Sequence, residues 1–241
     1  MNKEINEVRL KEAWIECSER CVKCREERDG CSKYEKDKNK KYCPPVPGCG
    51  DYKENVDVFL LTKGHGGIGE DEYFIDNNFE KLREDKLQHY TKRDPYDNFH
   101  SFLMRSLIKK IEEEKKNWYL TDIWKCFVID RPNDKKWPEL TKNDIKNNLR
   151  KSFENCNKYL IKEIEILKPK VIVLFGNDVK NFYKEQIKEN LNHKPVCVES
   201  MFPGTRTADK WFGKSKNNPS LSHEKWLIED IKEKLDNLTL S

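Results

Sequence analysis

Four short apolar runs separated by helix-like segments constrain the fold of this chain more than any other feature of its sequence. Each run is rich in β-branched and aromatic residues, which is typical of a buried strand. The runs cover residues 56–62, 118–124, 170–175 and 195–198. Apolar residues with helical spacing cover residues 5–20, 99–116, 142–167, 177–190 and 221–236. Strands that alternate with helices predict an α/β fold, a three-layer α/β/α sandwich around a central sheet of four parallel strands.

Two of the predicted helices have a clear apolar face that we expect to pack on the sheet. In the helix over residues 99–116 this face consists of Phe99, Phe102, Leu103, Leu107, Ile108 and Ile111. In the last helix it consists of Trp226, Leu227 and Ile231. Residues 29–41, by contrast, are charged and almost free of aliphatic side chains, which predicts a loop.

The composition excludes several classes of protein. Aromatic residues make up 11% of the 241 residues, which is too many for an intrinsically disordered chain. Apolar runs such as residues 171–175 are far shorter than the ~18 residues of a membrane span. The first seven residues include acids and no apolar segment, so we expect no secretory signal, a cytoplasmic location and no membrane partner. The 47 basic and 43 acidic residues leave a net charge of +4, which permits a basic face for an anionic partner without demanding one.

The nine cysteines are a stronger indication of function than the charge. In a cytosolic chain they point to metal or redox chemistry rather than to a disulfide framework. Six of them fall in the first fifth of the chain, at positions 17, 21, 24, 31, 43 and 49. The others are Cys126, Cys156 and Cys197. Cys197 lies in an apolar strand, which favours a buried thiol that packs as a small hydrophobic residue.

A glycine-rich loop follows the first predicted strand, at the edge where parallel sheets bind ligands. It runs from Lys63 to Asp71 and contains Gly64, Gly66 and Gly67. Glycines let a backbone approach a ligand closely and offer N–H groups to a phosphate or a carbonyl oxygen. The loop matches neither the dinucleotide fingerprint nor the phosphate-binding P-loop. A tight turn built from structural glycines is the alternative interpretation.

Three stretches of the chain carry a resemblance to a known family. Residues 46–61 read VPGCGDYKENVDVFLL, residues 119–126 read YLTDIWKC, and residues 156–176 read CNKYLIKEIEILKPKVIVLFG. In this order they resemble the uracil-DNA glycosylase superfamily, closest to its iron–sulfur-containing, family 4-like branch. The resemblance covers about residues 15–236 and implies the fold, a role in DNA repair by base excision, and single- or double-stranded DNA as the partner. We expect a monomer.

The resemblance also implies an iron–sulfur cluster. The cysteines at the family's ligand positions are Cys21, Cys24, Cys126 and Cys156. Four thiolates complete the coordination of a 4Fe–4S cluster. Residues 1–50 would then be a cysteine-rich segment that contributes to the iron–sulfur site. Residues 51–241 would be the glycosylase-like α/β domain.

Four further cysteines do not belong to the family pattern. They are Cys17, Cys31, Cys43 and Cys49. A zinc site in the N-terminal segment is one alternative for them, since four cysteines are a common structural zinc set. Free thiols and alternative cluster ligands are the others.

Three positions that carry chemistry in the family differ in this chain. The family uses an acidic residue in the first loop, an Asn on the second strand that reads the base edge, and a His in the last loop that stabilises the leaving oxyanion. At these positions the chain has Gly64, Asp122 and Phe202. A phenyl ring donates no hydrogen bond, so another group has to stabilise the oxyanion if the reaction occurs.

Two functions are consistent with these differences. In the first, the protein is a monofunctional DNA glycosylase that flips a base and hydrolyses its N-glycosidic bond with altered residues. Asp122 would then accept from the exocyclic amine of a non-uracil base, and His65 and Asp71 would orient water or act as electrophiles. In the second, the protein is a catalytically silent iron–sulfur protein that binds nucleic acid or recognises damage on the same scaffold.

The remaining candidate site residues would contact the DNA. They are the loop glycines with Tyr73, Phe74, Phe202, Pro203, Gly204 and Arg206. Tyr73 and Phe74 lie near the family's base-stacking position, with a simple core role as the alternative. Residues 202–204 stand at the family's last motif. The arginine after that motif would contact phosphates, with an ordinary solvated loop as the alternative.

Overall fold

The structure is a computed structural model that describes residues 2–26, 46–52, 55–63, 78–92, 99–123, 157–203, 207, 211 and 222–239. In chain order its helices are α1 (Asn2–Glu26), α2 (Phe79–Thr91), α3 (Phe99–Glu113), α4 (residues 157–167), α5 (Asn177–Phe182) and α6 (His223–Thr239). Its strands are β1 (Cys49–Gly50), β2 (Val58–Thr62), β3 (Trp118–Asp122), β4 (Val171–Phe175) and β5 (Val196–Ser200). After α5 the chain continues through a π-helical turn, Tyr183–Ile187, and a 3₁₀ turn, Lys188–Asn190. None of these helices is long and apolar enough to cross a membrane.

The strands form one mostly parallel sheet in the order β1-β3-β2-β4-β5. Strands β2 to β5 are parallel to one another, and Leu60 in the central strand pairs with Leu120 on one side and Val173 on the other. β1 pairs antiparallel with β3 at the edge of the sheet, with Cys49 opposite Leu120. The predicted α/β class is confirmed, and the predicted count of four strands is wrong because of β1. A strand of two residues is too short to show the alternation that identifies strands.

Two hydrophobic cores lie on opposite faces of the sheet. Side chains alternate along a strand, so Val58 and Leu60 of β2 contribute to one core and Phe59 and Leu61 to the other. The face of Val58 packs against α3 and α6, and we call it the α3 face. The face of Phe59 packs against α1, α4 and α5, and we call it the α4 face. Helices on both faces agree with a three-layer arrangement.

Helix α2 is present although the apolar spacing does not predict it. Its buried positions are Phe79, Leu82, Lys86 and Tyr90. These positions follow the helical period, but one of them is a lysine and charged residues surround the others, so the apolar signal is weak. Asn78 caps the helix, its side-chain oxygen accepting from the backbone N–H of Lys81 at 3.1 Å. Helix α1 also continues to Glu26, beyond the predicted end at residue 20.

Two aromatic side chains that we expect in the core lie at the surface instead. Phe102 is 49% exposed and Trp226 is 41% exposed. Each directly precedes a buried leucine, Leu103 or Leu227, and neighbouring helix positions point about 100° apart. The leucine therefore takes the inward position in both helices. The other inward predictions that fall on described side chains, at Leu107, Ile108, Ile111 and Ile231, are confirmed.

Candidate functional site

The carboxyl ends of the four parallel strands place a row of side chains on the α3 face. Thr62 ends β2 and pairs with Asp122 at the end of β3. Phe175 ends β4 and pairs with Ser200 at the end of β5. All four residues are buried. Neighbouring strands lie about 4.8 Å apart, so the row spans roughly 14 Å from Asp122 to Ser200. Open parallel sheets bind ligands beyond this edge.

A buried ion pair occupies the β3 end of the row. The Lys86 ammonium group donates to Asp122 Oδ2 at 2.8 Å, and each side chain is 1% exposed. The Thr62 hydroxyl donates to the other carboxylate oxygen, Oδ1. These two donors come from different elements and together hold the Asp122 carboxylate in one orientation.

Two ionisable groups close to this ion pair, Cys49 and Tyr90, are neutral at neutral pH. Burial raises the pKa of the Cys49 thiol to about 12, while Lys86 and Asp122 act on it with opposite signs. Burial, together with the charge of Asp122, raises the pKa of Tyr90 well above its usual value. The two charges therefore offset each other inside a core where a single unpaired charge would be strongly destabilising.

Helix α2 brings Lys86 to the end of the sheet. Lys86 lies four residues after Leu82 and four before Tyr90, on the buried stripe of the helix. Sequence reasoning does not identify Lys86 as a site residue. The signal that could have found it is the lysine itself, at a position where the helical period requires an apolar side chain.

A serine–histidine pair occupies the β5 end of the row. His223 Nε2 lies 2.9 Å from Ser200 Oγ, and the Ser200 hydroxyl donates to the Met201 carbonyl oxygen at 3.2 Å. The imidazole also contacts the rings of Trp211 and Trp226, with centroids 4.9 and 5.0 Å away. Burial lowers the pKa of His223, which favours the neutral ring at neutral pH. The sequence gives His223 no motif, and only the packing of α6 brings it to β5.

Two further residues mark the carboxyl edge. Phe202 follows β5 and is 40% exposed. Its Cβ lies 3.3 Å from the point where a side chain on Gly176 would begin, so Phe202 covers the turn between β4 and α5. Lys63 follows β2, and its ammonium group forms an exposed ion pair with Asp178 of α5 at 2.6 Å.

The structure describes three of the predicted base- and DNA-contacting residues, and all three lie near this edge. Asp122 ends β3 and Phe202 follows β5, and Pro203 is buried next to Phe202 in the chain. The others lie outside the described residues, and their roles stay predictions. They are Gly64, His65, Gly66, Gly67, Asp71, Tyr73, Phe74, Gly204 and Arg206.

Two elements that bear on the predicted cluster pack together. Cys17 of α1 packs against Tyr159 of α4, whose hydroxyl donates to the Glu16 carbonyl oxygen at 2.9 Å. Cys21 and Cys24 follow in the last turns of α1, and Cys156 is joined directly to the first described residue of α4. Cysteine thiolates on adjacent segments are the donors that an iron–sulfur cluster needs. Among the described residues, no three His, Cys, Asp or Glu side chains converge as a metal site.

The comparison with protein families agrees with this fold. Residues 70–232, more than half of the chain, match the model of the Uracil DNA glycosylase superfamily. The chain belongs to this superfamily and has a DNA glycosylase-like scaffold, in a family whose substrate is DNA. No curated protein sequence matches the chain.

Proposed function

We propose that the protein is a DNA glycosylase of base-excision repair that binds a flipped nucleotide along the carboxyl edge and hydrolyses its N-glycosidic bond. The observation that carries the proposal is the buried pair of Lys86 and Asp122 at the edge where open parallel sheets take their ligands. Buried charges contribute little to stability compared with apolar side chains, which favours a role in binding.

The row of side chains has polar groups at both of its ends, which would suit a nucleotide laid across the strands. The base would lie toward Asp122 and the sugar and phosphate toward Ser200 and His223. The Ser200 hydroxyl would exchange its hydrogen bond to the Met201 carbonyl oxygen for one to a phosphate or sugar oxygen, while His223 Nε2 holds the serine side chain in place. His65 and Asp71 from the glycine-rich loop would orient the attacking water.

The proposal includes a 4Fe–4S cluster held by Cys21, Cys24, Cys126 and Cys156. The contact between α1 and α4 supports it, since it joins the two elements that carry or adjoin three of these cysteines. The cluster would link the N-terminal helix to the sheet domain. Cys49 is a separate case, because it is fully buried in the core of the α3 face as a protonated thiol.

Phe202 supports a second candidate function, a catalytically silent protein that recognises damaged DNA. It occupies the edge with an apolar ring that cannot stabilise a leaving oxyanion. In this alternative, base binding is retained and hydrolysis is lost.

A base-release assay separates the two functions. The substrates are single- and double-stranded oligonucleotides that each carry one deaminated or alkylated base, and alkaline cleavage reports base release. We expect release of at least one base by the protein as it stands, and faster release by Phe202→His, which restores a donor. Phe202→Leu is the matched control and should not accelerate release. DNA binding without release of any base would establish the silent protein instead.

A further inference from the structure

We propose that Lys86 and Asp122 act together as the reader of the base edge, with the ammonium group as the donor and the carboxylate as the acceptor. This inference rests on the proposed function and specifies how its base would be recognised. It changes the expectation for Asp122, which alone would offer acceptors only.

The geometry makes the two side chains one unit. Lys86 Nζ lies 2.8 Å from Asp122 Oδ2, and both side chains are 1% exposed. Thr62 donates to Oδ1, so the carboxylate cannot turn without losing a buried hydrogen bond. The unit lies at the last residue of β3, at the carboxyl edge of the sheet.

The chemistry of the unit matches that of an amide side chain. An Asn amide offers N–H donors and a carbonyl acceptor on neighbouring atoms. An ammonium group offers three donors, of which Asp122 uses one, and each carboxylate oxygen has capacity for more than one hydrogen bond. The pair therefore offers donor and acceptor together and carries no net charge. It suits a base edge with a carbonyl oxygen beside an N–H group, as in uracil, rather than an exocyclic amine.

Packing alone does not explain why a lysine occupies this position. The other buried positions of α2 are Phe79, Leu82 and Tyr90, and an apolar side chain at position 86 would continue that stripe. Removing both charges from a buried pair is often neutral or stabilising. The neighbouring Cys49 and Tyr90 are neutral, so neither requires a nearby charge.

Equilibrium binding to three DNA duplexes tests the inference. One duplex carries 2′-fluoro-2′-deoxyuridine, which resists glycosidic cleavage, one carries cytosine, and one carries a tetrahydrofuran abasic analogue. The measured quantity is the ratio of affinities for the uracil duplex and the abasic duplex. We expect the unsubstituted protein to prefer uracil by about tenfold or more, and Lys86→Met to remove most of this preference while its affinity for the abasic duplex stays the same.

Two double variants keep the test valid if Lys86→Met removes the counter-charge of Asp122 and does not fold. Lys86→Met with Asp122→Asn restores an amide without a buried charge, and we expect its uracil preference to lie within about threefold of that of the unsubstituted protein. Lys86→Met with Asp122→Leu has a similar shape and no polar group, and its preference should be lost. Lys63→Met removes an exposed cation at the same edge and should change the overall affinity but not the ratio.

The outcomes separate this inference from the proposed function. If both double variants keep the ratio of the unsubstituted protein, the ion pair is structural and the inference is wrong. A preference of the unsubstituted protein for cytosine over uracil would also overturn it, although base release would then still support a glycosylase. Absence of DNA binding at low salt would overturn the proposed function itself.

Discussion

The titration of one residue, His223, makes the stability of the protein depend on pH. Burial holds its pKa below the ordinary value of 6.5, so the unfolded chain binds a proton more readily than the folded protein. The contribution of His223 to stability is therefore fully present above pH 6.5 and is lost as the pH falls toward the pKa of the folded state. We predict that the free energy of unfolding, measured in urea, decreases between pH 7 and pH 5 with a slope of at most about 1.4 kcal/mol per pH unit from this residue.

The control for this prediction is His223→Gln. Glutamine keeps a hydrogen-bonding group for Ser200 and has no titration in this range. The variant should show a flatter curve between pH 7 and pH 5. Exposed carboxylates such as Glu16 and Glu199 titrate from an ordinary value of 4.5, and ion pairs lower the pKa of both, so they act below this window. An unchanged slope in the variant would assign the pH dependence to other groups.

At the scale of residues, the sequence identifies only one of the four residues that form the ion pair and the serine–histidine pair at the carboxyl edge. The family motif identifies Asp122, because the strand that carries it has a recognisable sequence. Its partner Lys86 comes from a helix with a weak apolar period. His223 and Ser200 are 23 positions apart, and no local pattern predicts that a helix start will contact a strand end. Contacts of this kind are set by tertiary packing.

At the scale of elements, the edge strand β1 depends on a backbone conformation that suits glycine. Gly50 has a φ of +120°, and a Cβ there would lie 2.4 Å from the Trp118 carbonyl oxygen. We predict that Gly50→Ala destabilises the protein by about 2 kcal/mol or more, because strain and a backbone clash add. Urea unfolding at pH 7 measures the change.

Gly176→Ala is the matched control for the edge strand. Gly176 also has a positive φ, +88°, but a Cβ there would lie 3.3 Å from Phe202 Cβ, which requires a much smaller displacement than the 2.4 Å approach at Gly50. The expected cost is therefore smaller, about 1 kcal/mol. Equal costs at the two positions would mean that the backbone conformation alone, and not the close approach of β1 to β3, determines the effect.

The strands that the sequence predicts best are those whose whole length is buried. All five residues of β2, β3 and β4 are buried, so β4 reads as a continuous apolar run, and β2 and β3 read as apolar runs up to their polar ends. The elements that the sequence misses are β1, with two residues, and α2, whose buried stripe contains Lys86. Both form part of the surroundings of the ion pair, so the weakest predictions of the fold fall at the candidate site.

At the scale of the whole molecule, α1 is joined to the sheet domain by polar contacts around an apolar core. Asn6 donates to the Tyr52 carbonyl oxygen at 3.1 Å near its start, and Glu16 pairs with Lys162 of α4 further along. Leu10 enters the core of the α4 face between these contacts. The contacts position the helix that carries Cys21 and Cys24, and a cluster bound there would add a link between α1 and the rest of the chain.

That arrangement predicts a coupling between metal content and stability. Protein purified without oxygen should hold about four irons per chain and absorb near 400 nm, as expected for a 4Fe–4S cluster. Cys156→Ser should lose the iron and lower the unfolding temperature.

Cys49→Ala is the matched control, because Cys49 is a buried thiol on the α3 face and is not one of the assigned cluster ligands. This variant should keep the iron, and its free energy of unfolding should fall by about 1–2 kcal/mol because the core side chain is smaller. Iron and labile sulfide analysis, with thermal unfolding of each variant, measures both effects. Zinc in place of iron, or iron retained in Cys156→Ser, would contradict the ligand assignment, since a cluster held by four thiolates does not survive the loss of one without a substitute.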